Sequence, residues 1–151
     1  MRTVHALHTF AVPVHEAERC WYDTSGWQSW VDGLDRILET RAPWPMAGGG
    51  VTWESGPAGR GRVTETVVAY APAEGQTVQV ADDTMTGRQA VTFAAVPAGV
   101  DVTLRLEYTL ARRSLVTPVI DLLFIRREMS LSLSRTLARF GARLRADGSP
   151  H

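Results

Sequence analysis

The chain has 151 residues, 44% hydrophobic and 21% charged, which fits one globular domain with a core large enough to enclose a cavity. Sixteen basic residues, every one an arginine, balance sixteen acidic ones, so charge gives no reason to expect a nucleic-acid or anionic-membrane partner. A single cysteine, Cys20, excludes an internal disulfide and a cysteine-built zinc site.

Residues 3 to 12 alternate as a strand, with Val4, Ala6, His8, Phe10 and Val12 on one face. Pro13 ends it, because proline cannot donate to a ladder. His15 to Tyr22 reads as a helix with Glu16 and Glu18 at its start, where the dipole favours acids. Asp23 or Ser25 can cap a second short helix, and the spacing of Trp27 and Trp30 puts both indoles on one face. Leu34 to Thr40 is the second predicted strand. Pro43, Pro45 and Gly48 to Gly50 form a turn, and Val51-Thr52-Trp53 starts the third strand. After a turn over Gly56 to Gly61, Arg62 to Tyr70 and Thr77 to Ala81 are predicted strands. Thr86-Gly87 is read as a tight turn. Gln89 to Val96 and Val100 to Leu110 form a hairpin closed at Pro97-Ala98-Gly99, and the strict alternation of Val102, Leu104, Leu106, Tyr108 and Leu110 with polar residues marks a sheet with one covered face. Thr117 is a plausible N-cap, Pro118 suits the first helical position, and apolar residues then recur at helical spacing from Val119 to Leu144.

No targeting or spanning segment is expected. Met1 to His5 lacks an apolar signal core, and the most apolar run, Leu115 to Ile125, is short and broken by Thr117, Pro118 and Asp121. The expected location is cytoplasmic, without stable membrane insertion.

One strand, two short helices, six strands and one long helix make an α+β order in which a curved antiparallel sheet wraps a C-terminal helix. Phe10-x-Val12-Pro13, Asp23 ten residues after the proline, Trp27 four after the aspartate, Gly61-Arg62-Val63, the Ala98-Gly99 hairpin and the terminal helix together resemble the START-like, or Bet v 1-like, superfamily (SRPBCC). The resemblance is to its bacterial polyketide cyclase/dehydrase and lipid-transport branch, and it covers the whole chain as one domain, residues 1–151. It implies a helix-grip fold with an internal cavity. Where the family often carries Trp or Phe five residues after the proline, this chain has Glu18.

The resemblance also implies a lining. Trp27 falls where cyclases of this type place a pocket aromatic. Thr64, Thr66, Val68 and Tyr70 would point inward from the strand after Gly61, and Val91, Phe93, Leu104, Leu106 and Tyr108 from the last hairpin. Trp30 and Trp53 are further candidates. Aromatase/cyclases tend to carry tryptophan, serine and arginine along the first of these strands and an amide on the last. Here Thr64, Thr66, Tyr70 and Leu106 stand instead, so the cation that could hold an enolate is absent from that place.

Tyr70 and Tyr108 are the best polar handles, and as general acids they would need a lowered pKa. His8 is the histidine expected on an inner face, while His5 and His15 do not converge with it into a metal site. At most one of Asp82 and Asp83 can enter the cavity, since neighbours on a strand face opposite ways. Neither a phosphate-binding glycine loop nor a nucleophile elbow is present. No cofactor or metal is expected. The expected partner is a small hydrophobic ligand, lipid or polyketide-like, bound by a monomer or homodimer. The alternatives are a cofactor-free cyclase/dehydrase-type enzyme and a protein-interaction module.

Overall fold

The computed structural model describes residues 2–56, 60–111 and 119–148, and of residues 119–122 it describes the backbone alone. Seven strands form one antiparallel sheet in the order β1-β7-β6-β5-β4-β3-β2. They are β1 (Arg2–Phe10), β2 (Leu34–Arg41), β3 (Gly50–Ser55), β4 (Arg62–Ala71), β5 (Gly75–Ala81), β6 (Met85–Val96) and β7 (Gly99–Leu110). Helix α1 (Val14–Tyr22), a 3-10 turn (Thr24–Gly26) and α2 (Trp27–Trp30) connect the two edge strands, and α3 (Val119–Gly148) follows the sheet. The fold is the α+β helix grip. Thr117 and Pro118 lie outside the described residues.

Cross-strand partners in an antiparallel sheet share a face, so the register fixes what faces α3. Along β7 the inner set is Val100, Val102, Leu104, Leu106, Tyr108 and Leu110, all buried. Opposite Leu104 and Leu106 stand Val91 and Gln89 of β6, and opposite those stand Gln76 and Val78 of β5. Val78 pairs with Val67 of β4, and Val80 with Glu65. On the other side of β4, Val63 and Glu65 pair with Trp53 and Val51. The inner face of β4 is therefore Val63, Glu65 and Val67. A bulge between Val67 and Ala69 then shifts the phase, so that Tyr70 pairs with Gln76.

The reversal between β5 and β6 lies at Asp82 to Thr84 instead of at Thr86-Gly87. Asp82 Oδ1 accepts hydrogen bonds from the Thr84 amide (2.7 Å), the Thr84 hydroxyl (2.8 Å) and the Met85 amide (3.0 Å), an aspartate turn built by the side chain. Gly87 lies within β6, where a Cβ would stand 2.2 Å from the carbonyl oxygen of Glu107. Glycine is there for close approach of strands, not for a turn.

Helix α3, 30 residues and about 45 Å long, lies against the concave face. Leu133, Leu137, Phe140 and Leu144 form its buried stripe. At the α1–α2 end it meets an aromatic cluster. Trp21 and Trp30 stand 4.7 Å apart between ring centroids, and Phe140 packs edge-on to both at 5.0 and 4.9 Å. The Trp27 indole donates to the Trp21 carbonyl (2.8 Å) and the Trp44 indole to the Tyr22 carbonyl (2.9 Å), which ties the short helices to one another and to the segment after β2. Cys20 is half-buried beside α3, its thiol pushed up to about 11 by burial and by the charge of Asp147. Among the described residues no helix is long and apolar enough to cross a membrane.

Candidate functional site: a crevice between sheet and helix

The concave sheet and α3 do not close completely. Between them runs a crevice with a narrow inner end and a wide outer part. The inner end, about 60 Å³, is lined by Trp21, Trp27 and Trp30 from the short helices, by Glu65, Gln76, Val78, Val80, Val91 and Leu104 from the sheet, and by Thr136 of α3. The outer part, about 590 Å³, is bounded by Ser55, Gly56, Thr84 and Leu106 on one side and by Phe124, Ile125 and Met129 of α3 on the other. Asp32, Trp53, Arg60, Gln89, Ser132 and Leu133 border both and form the neck. The outer part lies within the usual range for a small-molecule site, whereas the inner end holds only a few waters or one small polar group.

Glu65 carries the chemistry of the inner end. It is 8% exposed and sits mid-strand on β4 among valines. The Trp53 indole donates to its Oε2 at 2.7 Å, and its Oε1 has no hydrogen bond among the described residues. Burial pushes the carboxyl above the usual glutamate range, against the opposing pull of the Trp53 hydrogen bond and the Arg60 charge. One donor does not compensate a buried carboxylate, so this environment favours the neutral acid more than water does.

Arg60 supplies the cation missing from the strands. It reaches the neck from the β3–β4 connection, and its guanidinium lies over the Trp53 ring at 5.6 Å. Its Nε donates to Asp82 Oδ2 at 2.5 Å, and the Asp82 side chain is wholly buried. Asp82 thus holds Arg60 in place rather than entering the crevice. Gln76 donates its amide to the Pro45 carbonyl (2.9 Å). Gln89, at the neck, makes no side-chain hydrogen bond among the described residues.

The helix side of the neck is a clamp around Asp32. Ser132 donates to Asp32 Oδ2 (2.7 Å), Arg135 donates to both oxygens (3.1 and 3.2 Å), and Arg139 to Oδ1 (3.2 Å), while the Asp32 amide donates to Thr136 Oγ1 (3.0 Å). Partial burial raises its pKa, but the hydrogen bonds from Arg135 and Ser132 and the charges of Arg135 and Arg139 outweigh it. Asp32 is held below the usual carboxylate range.

Of the residues expected from sequence, Trp27, Trp30, Trp53, Val91 and Leu104 border the inner end, and Trp53 and Leu106 the outer part. Phe93 is buried on the same sheet face but packs edge-on against Trp21 and Tyr22, away from the crevice. Thr64, Thr66 and Val68 are corrected. Register with Trp53 and Val51 turns Val63 and Glu65 inward, so the two threonines lie on the outer face, beside Gln79, Arg88 and Glu107. Val68 sits at the bulge and is exposed. Tyr70, past the bulge, packs edge-on against Tyr22 at 5.4 Å and does not border the crevice.

Tyr108 is fully buried, and its hydroxyl has no partner among the described residues. Burial pushes both phenols up, helped at Tyr70 by the charge of Glu18, which is the wrong direction for an acid working near neutrality. His8 is half-buried against Phe10 (6.0 Å), also away from the crevice. Sequence reading missed Glu65, Arg60, Gln76, Gln89 and Asp32. For Glu65 the signal was available, because Val63 and Val67 flank it at the buried parity.

An open antiparallel sheet gripping one long helix, with an aromatic crevice between them, defines a helix-grip protein with a ligand-sized pocket. The chain belongs to the family described as polyketide cyclase / dehydrase and lipid transport, whose model matches residues 1–145. Among solved structures it is similar to the di-domain ARO/CYC StfQ from the steffimycin biosynthetic pathway, with TM-score 0.79 and 15% identity over 96% of this chain and 51% of that one. It is also similar to TTHA0849 from Thermus thermophilus (TM-score 0.75, 16% identity, 98% of this chain and 100% of that one). Protein CV1439 from Chromobacterium violaceum matches with TM-score 0.71 and 15% identity over 94% and 96% of the two chains. At these identities the likeness is one of fold. No curated protein matches the sequence.

Proposed function

We propose that this protein binds a small hydrophobic or aromatic molecule, lipid or polyketide-like, in the crevice between the sheet and α3. The observation that carries the reading is the outer cavity of about 590 Å³, walled by Trp53, Leu106, Phe124 and Met129 and narrowing toward a tryptophan-lined inner end. Aromatic and aliphatic walls with a few fixed polar groups are what such ligands need. The location we propose is the cytoplasm. The test is titration of the intrinsic tryptophan fluorescence with aryl ketones, naphthols and fatty acids. Saturable one-to-one quenching is expected, and Gln89→Trp, which narrows the neck, should weaken it at least about tenfold without lowering the unfolding midpoint. No quenching and no thermal shift across that panel would sink the reading.

A cyclase/dehydrase-type activity is the second reading. It is favoured by one observation, the convergence of Glu65 and Arg60 on the same crevice. An acid and a cation so placed can polarise a carbonyl and stabilise an enolate. Incubating a bound oxygenated ligand with the protein and following it by mass spectrometry tests this. Recovery of the ligand unchanged would leave binding as the function.

A further inference from the structure

The two-part shape of the crevice and the groups at its inner end point to how a ligand is oriented and selected, an inference that rests on the binding function proposed above. The inner end, at about 60 Å³, is too small for a ring, whereas the outer part, at about 590 Å³, accepts a fused-ring system. Two residues that border the inner end each carry a polar atom without a hydrogen bond among the described residues. One is Oε1 of Glu65, whose other oxygen is held by the Trp53 indole. The other is the indole N–H of Trp30, a residue 1% exposed. Buried polar groups are ordinarily satisfied, and an unpaired one costs stability. A neutral carboxylic acid at Glu65 presents one O–H donor to the inner end. What that donor lacks is an acceptor.

We propose that Glu65 is the specificity-determining residue of this crevice: the ligand enters oxygen first, its apolar ring system in the outer part and a ketone or hydroxyl oxygen at the inner end, accepting a hydrogen bond from the Glu65 carboxylic acid. The arrangement selects oxygenated aryl compounds over hydrocarbons of the same shape. Arg60, held by Asp82, borders the crevice at the neck. Trp53 is a positioning residue here, since its N–H fixes which carboxyl oxygen is occupied.

A matched pair of ligands tests this with the whole protein: 2-acetylnaphthalene and 2-isopropylnaphthalene, titrated against tryptophan fluorescence. Hydrophobicity alone favours the hydrocarbon. The proposal expects the ketone to bind about tenfold more tightly, the value of one good buried hydrogen bond. Glu65→Leu should abolish the preference and keep or improve hydrocarbon binding. Glu65→Gln, which retains a donor, should keep part of it. An infrared difference spectrum between wild type and Glu65→Gln should contain the carbonyl band of a protonated carboxylic acid, and that band should shift when the ketone binds. Equal affinities in the wild type, or a preference that survives Glu65→Leu, would overturn the proposal while leaving the crevice as a binding site. Failure of both ligands to quench would instead remove the binding function, and this inference with it.

Discussion

Two of the carboxylates that border the crevice live under opposite rules. Asp32, on the helix side, is partly open to solvent and is met by Ser132, Arg135 and Arg139. Glu65, on the sheet side, is buried among valines and is met by one indole. The first is pinned in its charged form and joins α3 to the segment after α2. The second is pushed toward its neutral form by burial and borders the narrow end of the crevice. Residue type does not decide which carboxylate is structural and which is available for chemistry; the number and charge of the donors around it do.

The largest effect should come from the frame both residues share. Trp30 joins Trp21, Trp27 and Phe140 at the end of α3, so Trp30→Ala should cost about 3–5 kcal/mol in chemical denaturation. A loss under about 1 kcal/mol would mean that the aromatic end is not part of the cooperative core.

Asp32→Ala comes next, at about 1–2 kcal/mol, because the arginines of the clamp are half exposed and solvent screens their share. The effect should depend on pH in a defined direction. The folded pKa of Asp32 lies below its unfolded value, so its stabilisation is present above pH about 4 and is lost as pH falls through the folded pKa. Wild type and Asp32→Ala should therefore converge in stability on acidification.

Glu65→Gln should behave in the opposite sense. The folded pKa of Glu65 lies above its unfolded value, so wild-type stability declines as pH rises from the unfolded value toward the folded one. Removing the titration removes that decline, and the variant should gain on wild type from acid to neutral pH in thermal unfolding. A constant difference across that interval would show that Glu65 does not titrate differently in the two states. Smallest of all, Thr66→Val on the outer face should change stability by no more than about 0.5 kcal/mol and leave ligand titrations unmoved. A clear loss of ligand affinity in that variant would put the sheet parity in question.

The fold was legible because its strongest signals are local. The alternation through Val102, Leu104, Leu106, Tyr108 and Leu110 and the helical period from Leu133 to Leu144 each follow from burial on one face, whereas the first strand ends at Phe10, short of the expected stop at Pro13. The aromatic part of the site was legible for the same reason, since Trp27 and Trp30 stand one turn apart on a short helix. The polar part was not. The family resemblance implied one parity for Thr64, Thr66, Val68 and Tyr70, but the bulge after Val67 puts Tyr70 out of phase with the first half of the strand. A one-residue slip exchanges faces, and it hid Glu65. Arg60 and Asp32 come from connections, and no strand or helix period reports where a connection delivers its side chain. Their partners lie 22 residues away in sequence for Arg60 and about 100 for Asp32, so only the assembled sheet and helix bring them to the neck.

Glu65 and Asp32 are pushed in opposite directions from their ordinary carboxyl values across one crevice, with Arg60, Glu128 and the Asp32 clamp as charged groups along it. Carbon-13 NMR of the side-chain carboxyls, assigned with Glu65→Gln and Asp32→Asn and followed through a pH titration, measures this directly. Glu65 should titrate above the ordinary glutamate value and move further up when 2-acetylnaphthalene fills the crevice, while Asp32 titrates below the ordinary aspartate value. A Glu65 carboxyl that ionises at or below the ordinary glutamate value would contradict the account, because a charged group at the inner end has no proton to offer a ligand.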